Sequence, residues 1–130
     1  MDLSIKVDKS ATLCGIRGII AIKNIAKKEL IESCPVIIFP KTQDKLIDST
    51  VLGSYDYDWD KENSCFVIGY CVLTNHSYNP NCRYERDFSS LTMNYIALKE
   101  IAIGEEILIN YNGDPSDTHL LNERYTNHLY

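Results

Sequence analysis

Apolar residues fall along the chain in short stretches that predict strands rather than long helices. Residues 3–7 alternate apolar and polar side chains, as expected for a strand with one buried face. The path 29–39 is rich in β-branched residues, and Pro35 within it requires a sheet edge or a bulge. The same reasoning predicts a strand at 19–22, a hairpin of 82–88 with 91–98, and a strand at 107–111.

Between these strands the pattern changes in ways that predict the connections. Residues 41–48 are polar and suit a short surface helix, whereas 65–74 form an apolar run that fits a buried strand or a short helix. In Tyr55-Asp-Tyr-Asp-Trp59 a period of two places three rings on one face, with the aspartates in water and Trp59 in the core. Ser116 is a suitable N-cap, so a helix is expected over 117–129. The chain therefore reads as one mainly β domain spanning 1–130, with many short elements.

Composition narrows the class of protein. The formal net charge of −5 and the scattered basic residues argue against binding to a nucleic-acid backbone and favour a basic peptide as partner. Five cysteines, with no C-x-x-C pair, argue against a disulfide framework and predict a reducing intracellular compartment, cytoplasmic or nuclear, with a secreted effector not excluded. No signal pattern and no apolar stretch of membrane-spanning length is present, so no membrane association is expected.

Three stretches could carry chemistry. The turn Asn75–Asn81 has many side-chain amides and directly follows the apolar run, which is typical of a ligand-binding loop. A glycine turn at 15–18 precedes a strand, and Gly104-Glu-Glu-Ile-Leu-Ile-Asn-Tyr111 ends in a tyrosine. Each has an ordinary alternative: a structural turn for 75–81, simple turn geometry for 15–18, and a solvated turn for Glu105 and Glu106.

The order and spacing of these stretches resemble those of the SET-domain protein lysine methyltransferases. The resemblance rests on Asn-His-Ser-x-x-Pro-Asn, on the Ile-Ala-Leu-Lys-x-Ile-x-x-Gly-Glu-Glu-Ile run, and on the Asn-Tyr pair at 110–111. It extends upstream through Gly18-Ile-Ile-Ala and covers about 7–113. The resemblance implies a β-clip-like fold of several small sheets with a C-terminal pseudoknot and a short C-terminal helix. It also implies that the tail 114–130 closes the active site, since no cysteine follows Cys82 to build a zinc-binding post-SET segment.

The same resemblance implies transfer of a methyl group from S-adenosylmethionine to a lysine of a histone or another basic protein, leaving S-adenosylhomocysteine and needing no metal. The implied catalytic residues are Tyr111, with an orienting and electrostatic role, and Tyr55. A homodimer is expected only by analogy with other minimal domains of this family. The implied cofactor-binding residues are Ile16, Arg17, Gly18, Asn75, His76 and Tyr111, and those of the substrate channel are Tyr55, Tyr57 and Ile109.

One departure from the family pattern leaves an alternative open. Ile16 stands where the first glycine of the family's Gly-x-Gly motif is usual, with Gly15 one place earlier, so the backbone there must shift if the turn needs a positive φ. This favours a second reading, a catalytically weak SET-fold module that binds cofactor or peptide. A metal-dependent hydrolase built on His76, His119 and His128 is the third reading, although the chain offers no close ligand pair.

Overall fold

Short strands dominate the computed structural model, which describes residues 3–121. The strands over this range are β1 Ile5–Lys9, β2 Arg17–Ala21, β3 Leu30–Pro40, β4 Asp56–Asp58, β5 Asn63–Val67, β6 Asn75–His76, β7 Cys82–Asp87, β8 Thr92–Ala97 and β9 Glu106–Ile109. The α-helix α1 spans Asp44–Asp48, and 3-10 turns occupy Lys41–Gln43, Val51–Ser54 and Tyr70–Leu73. The mainly β class, the surface helix and the 82–98 hairpin are therefore confirmed.

The smaller sheet brings the two ends of the chain together. Its strand order is β1-β2-β9-β6, so that β9 lies between β2, from the start of the chain, and β6. β9 pairs with β2 in antiparallel fashion and with β6 in parallel, with Asn75 opposite Leu108 and His76 opposite Ile109. The C-terminal strand thus runs alongside the segment that contains the Asn-His turn, as the predicted pseudoknot requires.

The larger sheet has the order β4-β5-β3-β8-β7, with the long strand β3 at its centre. The bulge that was one of the two expected settings for Pro35 is not found there, because the register irregularity falls between Leu30 and Glu32 instead. Pro35 lies where β3 changes partner: residues up to Pro35 pair with β8, and those from Val36 pair with β5. A residue without an N–H is tolerated at this changeover, and its carbonyl accepts a hydrogen bond from the N–H of Ile68 at 2.9 Å.

A single hydrophobic core joins the two sheets. Ile19 and Ile107 from the smaller sheet and Met93 and Tyr95 from the larger one are all fully buried in one cluster. Trp59 is 4% exposed and belongs to the same cluster, which confirms its predicted core position. The core therefore fixes β9, and with it the residues that follow, against both sheets.

The alternation predicted for 55–59 holds only in part. β4 is limited to three residues, and Tyr55 ends the preceding 3-10 turn with φ −120° and ψ −8°, outside the extended region. The period of two therefore does not reach Tyr55. Asp56, expected in water, is 5% exposed, so its predicted orientation is wrong.

The predicted C-terminal helix does not begin at residue 117. Residues 117–121 have no helical structure, and the remainder of the predicted helix, 122–129, lies outside the described residues. The cause is local: Ser116 donates from both N and Oγ to the carboxylate of Asp114, so it does not cap a following turn. The carboxylate of Asp117 in turn accepts the N–H of His119, a side chain-to-backbone bond that competes with helix formation.

Candidate active site

Tyr111 connects the end of β9 with the Asn-His segment. Its hydroxyl donates to the carbonyl of Thr74 at 2.6 Å, and its backbone N–H donates to Nδ1 of His76 at 3.0 Å. Because the hydroxyl proton is directed at the Thr74 carbonyl, the phenol oxygen presents its lone pairs on its other side, as an acceptor. Both ends of Tyr111 are thus oriented by the residues that flank Asn75.

The side-chain amide of Asn75 fills a structural place. Its Nδ2 donates to the carbonyl of Arg17 at 3.0 Å and to Oε2 of Glu106 at 2.8 Å, so both of its N–H groups are used within the protein. Asn75 therefore ties β6 to the start of β2 and to the start of β9. Asn75 would therefore contact a ligand through its backbone groups or through Oδ1.

The ring of His76 is held neutral. Its Nδ1 accepts from Tyr111, so the proton of the neutral imidazole resides on Nε2. Burial lowers the pKa of His76 below its usual value, which favours this neutral form. The ring packs edge-on to Tyr78, with the ring centroids 4.4 Å apart. Nε2 is buried and has no hydrogen-bond partner among residues 3–121, and such a donor is commonly satisfied by a ligand or by ordered water.

A pocket of about 310 Å³ opens where the edges of the larger sheet approach each other. Nε of Arg86, on the edge strand β7, donates to the carbonyl of Asp58, on the edge strand β4, at 2.7 Å. Close to this bridge the rings of Tyr57 and Tyr84 meet edge to face, 5.0 Å apart. The lining residues are Ser54, Tyr55, Asp56, Tyr57, Asp58, Val72, Tyr84, Arg86, Tyr111, Asn112, Gly113 and Asp114.

The pocket combines neutral aromatic walls with acidic groups. Burial raises the pKa of Tyr57 well above its usual value, and Tyr57 accepts a hydrogen bond from the hydroxyl of Tyr95 at 2.8 Å, so this wall stays uncharged. Carboxylates of Asp56, Asp58 and Asp114 lie among the lining residues. Such a site suits an elongated group with an apolar stem and a cationic or amine end.

The glycine turn at 15–18 is accommodated by a shift of one residue. Gly15 has φ +85°, so the left-handed position lies there and not at Ile16. Gly18 is required for packing, because a Cβ at this position would lie 2.4 Å from Oε2 of Glu106 and 2.9 Å from Nδ2 of Asn75. The carbonyl of Arg17 is the acceptor for Asn75, so residues 16–18 are held directly beside the Asn-His segment.

The residues singled out from the sequence fall into two adjoining groups. Tyr55, Tyr57 and Tyr111 line the pocket. Arg17 and Gly18 lie against Asn75, whose neighbour His76 accepts the backbone N–H of Tyr111, and Ile16 directly precedes β2. Ile109 is 1% exposed, in the hydrophobic core, and is not among the lining residues; its role in the channel stays a prediction.

Sequence reasoning missed three residues of this region. Tyr84 and Arg86 line the pocket from β7, and their alternation within a predicted hairpin strand was the available signal. Glu106, interpreted as part of a solvated turn, is 4% exposed and begins β9, so that interpretation is wrong. Nothing local distinguishes Glu106 from the exposed Glu105, because the hydrogen-bond partners of Glu106 are distant in sequence.

The hydrolase reading receives no support from residues 3–121, which hold no group of three or more His, Cys, Asp or Glu side chains placed to bind a metal ion. The side chain of His119 is exposed and pairs with Asp117, and His119 is not among the residues that line the pocket. Within the same range no helix is long and apolar enough to cross a membrane.

Comparison with known proteins gives a consistent result. The family model of the SET domain matches residues 16–112. A fission yeast (Schizosaccharomyces pombe) protein named histone-lysine N-methyltransferase, H3 lysine-37 specific, is 31% identical over 96 residues, which cover 73% of this chain and 65% of that protein. The match thus spans just under two thirds of the length of this relative.

Solved structures share the fold. A candidate histone methyltransferase of Plasmodium falciparum superposes with a TM-score of 0.66 at 28% identity, over 85% of this chain and 95% of that one. A humanized mutant of the Chaetomium thermophilum Polycomb Repressive Complex 2, bound to an inhibitor, superposes with a TM-score of 0.71 at 16% identity. That match covers 85% of this chain and 15% of the other, and at this sequence identity it shows only that the two chains share a fold.

Proposed function

The chain belongs to the SET domain family, and we propose that it is a protein lysine N-methyltransferase that uses S-adenosylmethionine. The observation that carries the proposal is the position of Tyr111. Tyr111 lines a pocket with aromatic walls, its hydroxyl is bonded to Thr74, and its backbone is bonded to the Asn-His segment. A tyrosine that connects these two regions is suited to a reaction in which two substrates approach from opposite sides.

The residues proposed to hold the cofactor are Ile16, Arg17, Gly18, Asn75 and His76. The Arg17 carbonyl accepts a hydrogen bond from the side chain of Asn75, and Gly18 lies against the same amide. The buried Nε2 of His76, next along the chain, has no polar partner among residues 3–121, so the set fits a polar ligand. When bound, S-adenosylmethionine supplies an electrophilic methyl group on a cationic sulfur. The chain's contribution is to orient the two substrates and to exclude water from their meeting point.

The pocket is proposed to bind the lysine side chain and to favour its neutral amine. At a pKa of about 10.4, roughly one lysine in a thousand is neutral near pH 7.5, which corresponds to about 4 kcal/mol. Walls formed by Tyr55, Tyr57 and Tyr84 lower this cost, because desolvation disfavours the ammonium form. The lone pairs of the Tyr111 oxygen orient the amine, while its proton stays on the hydrogen bond to Thr74.

The substrate is proposed to be a basic protein, with a histone tail as first candidate. The net charge of −5 and the carboxylates of Asp56, Asp58 and Asp114 among the lining residues favour a basic peptide. The name of the fission yeast relative supplies the histone class and, with it, a nuclear site of action. Nucleic acid is not proposed as a direct partner.

A homodimer is proposed as the functional form because few residues between β3 and β5 remain to bind a substrate peptide. Light scattering of the purified protein at assay concentration tests this point. A mass near 30 kDa, twice the 14.9 kDa of the chain, is expected for the dimer. A monomeric mass for an active enzyme would contradict it.

The decisive experiment is a methyl-transfer assay with a radiolabelled donor, against core histones and against a lysate of basic proteins. Label on a lysine, located by mass spectrometry and retained in the presence of a chelator, is expected. Binding of the cofactor at one site per chain without transfer to any protein would instead support the binding-module reading. Methyl transfer that is lost on chelation would contradict the expectation that no metal is needed.

A further inference from the structure

The carboxylate of Glu106 is the most densely bonded side chain near the proposed cofactor site. Its Oε1 accepts from the Ser10 hydroxyl at 2.7 Å, from the N–H of Ala11 at 2.8 Å, and from both the N–H and the hydroxyl of Thr12, at 3.1 and 3.0 Å. Its Oε2 accepts from Nδ2 of Asn75 at 2.8 Å. These five donors satisfy and stabilise the ionised carboxylate in its buried position.

These bonds connect segments that are far apart in sequence. Residues 10–12 precede Glu106 by about 95 positions, and Asn75 precedes it by 31. Gly18 packs against the same carboxylate so closely that no side chain fits between them. Burial opposes ionisation of Glu106, but the hydrogen bonds from Asn75, Ser10 and Thr12 outweigh it and lower the pKa of this carboxyl.

The segment held by Glu106, residues 10–15, is also braced from within by the Ser10 hydroxyl, which accepts from the N–H groups of Thr12 and Leu13 at 3.2 and 2.9 Å; we call it the 10–15 loop. Residues 11–15 are all exposed, and Gly15 ends the loop with a positive φ. The N–H of Ser10 donates to the carbonyl of Ile16 at 2.8 Å, which closes the loop at its base. Fixing residues 10–12 therefore also fixes where Ile16 and Arg17 emerge beside Asn75.

We propose that Glu106 is a positioning residue, whose carboxylate holds the 10–15 loop and Asn75 in the arrangement that binds S-adenosylmethionine. This inference rests on the proposed function and extends it to a residue outside the cofactor contacts. Glu106 acts through the loop, so its contribution falls on cofactor binding and not on the chemical step at Tyr111.

The test compares Glu106→Gln with Glu105→Gln. Glu106→Gln keeps the shape of the side chain but replaces one carboxylate oxygen with an NH₂ group. This group is a donor and would face another donor, either the amide of Asn75 or the N–H and hydroxyl groups of the loop. Glu105 is exposed and adjacent, so its change is the matched control. We expect the Kd and the KM for S-adenosylmethionine to rise about tenfold in Glu106→Gln, since charge-assisted bonds are replaced by weaker neutral ones, while kcat at saturating cofactor stays within about twofold. Glu105→Gln is expected to leave both constants unchanged.

Hydrogen exchange supplies a readout that needs no cofactor. In Glu106→Gln the amides of Ala11 and Thr12 are expected to exchange faster, while those of Ile19 and Ile107 in the core keep their protection. An unchanged Kd together with unchanged exchange at residues 11 and 12 would overturn the proposal. A fall in kcat with an unchanged KM would overturn it as well.

A second variant covers the case in which Glu106→Gln fails to fold. The double change Ser10→Ala and Thr12→Val removes both hydroxyl donors to Glu106, and with Ser10 the acceptor of the Leu13 N–H, while it leaves Glu106 and Asn75 intact. A rise of about threefold in the Kd for S-adenosylmethionine is expected, with the protein still folded at the assay temperature. Unchanged affinity would contradict the role of the loop. If the unmodified protein binds no S-adenosylmethionine, the proposed function itself fails, whereas intact binding that ignores these variants refutes only the role of Glu106.

Discussion

Replacing Tyr111 by phenylalanine separates the structural and chemical contributions of its hydroxyl. The structural contribution is one hydrogen bond of 2.6 Å to the Thr74 carbonyl. A bond of this kind contributes about 1 kcal/mol to the free energy of unfolding, and somewhat more if the carbonyl is left without a donor. A domain with a stability of about 5–15 kcal/mol remains almost entirely folded after such a loss.

The chemical contribution is expected to be larger. A positioned polar group at a reacting centre typically accounts for about 10²–10³ in kcat, or about 2.7–4 kcal/mol in the activation free energy. Lost stability cannot produce a fall of that size, because the folded fraction hardly changes. We therefore expect Tyr111→Phe to lower kcat at least a hundredfold and to change the Kd for S-adenosylmethionine less than threefold.

Tyr78→Phe is the matched control. The hydroxyl of Tyr78 also donates to a backbone carbonyl, that of His119 at 3.0 Å, but Tyr78 is not among the residues that line the pocket. Turnover is measured by radiolabelled methyl transfer, affinity by titration calorimetry, and stability by urea unfolding. Turnover in Tyr111→Phe within threefold of the unmodified enzyme, or an equal fall in Tyr78→Phe, would refute the assigned role of Tyr111.

Three further predictions concern pH and the backbone. The methyl-transfer rate is expected to rise from about pH 7 to 9 as free lysine deprotonates, and a flat profile with chemistry shown to be rate-limiting would contradict this. The pKa of His76 is lowered in the folded state, so the unfolded state binds the proton more readily. Stability is therefore expected to fall as pH drops below the unfolded value of 6.5, and urea unfolding should show a shallower fall in His76→Gln. Lys28 has φ 72°, so Lys28→Gly is expected to raise the free energy of unfolding by about 0.5–1 kcal/mol, whereas Lys27→Gly, at a position without a positive φ, should lower it.

Predictions from the sequence succeeded where the cause was local. The hairpin of β7 and β8 follows from alternation on both sides of a polar turn, and the surface helix follows from the polar run after Pro40. The predicted helix at 117 failed because the carboxylate of Asp114 binds Ser116, an interaction that competes with capping over only two residues.

The composition of the site was harder to predict because its bonds are long-range. Glu106 and Glu105 are identical neighbours in the sequence, yet only Glu106 turns toward the 10–15 loop, and its partners there are about 95 residues away. Asp56 was predicted to face solvent because the alternation in residues 55–59 predicts one extended strand. Tyr55 is not extended, and Asp56 is buried. The resemblance to the family supplied the candidate residues, but it could not show that Arg86 and Tyr84 face the same pocket as Tyr111.

The crossing of two distant segments explains why polar side chains concentrate at this site. β6 contributes only two residues of parallel pairing to β9, too few to hold the crossing by backbone bonds alone. Asn81 extends the pairing with its side chain: Nδ2 donates to the Glu106 carbonyl and Oδ1 accepts from the Leu108 N–H, both at 2.8 Å. An amide can thus replace a strand residue where the chain must turn away. Next to Tyr111, side chains likewise bond the backbone groups of these segments: the Tyr111 N–H donates to Nδ1 of His76, and the Tyr111 hydroxyl donates to the Thr74 carbonyl. The geometry that permits the crossing therefore concentrates polar side chains beside a buried core.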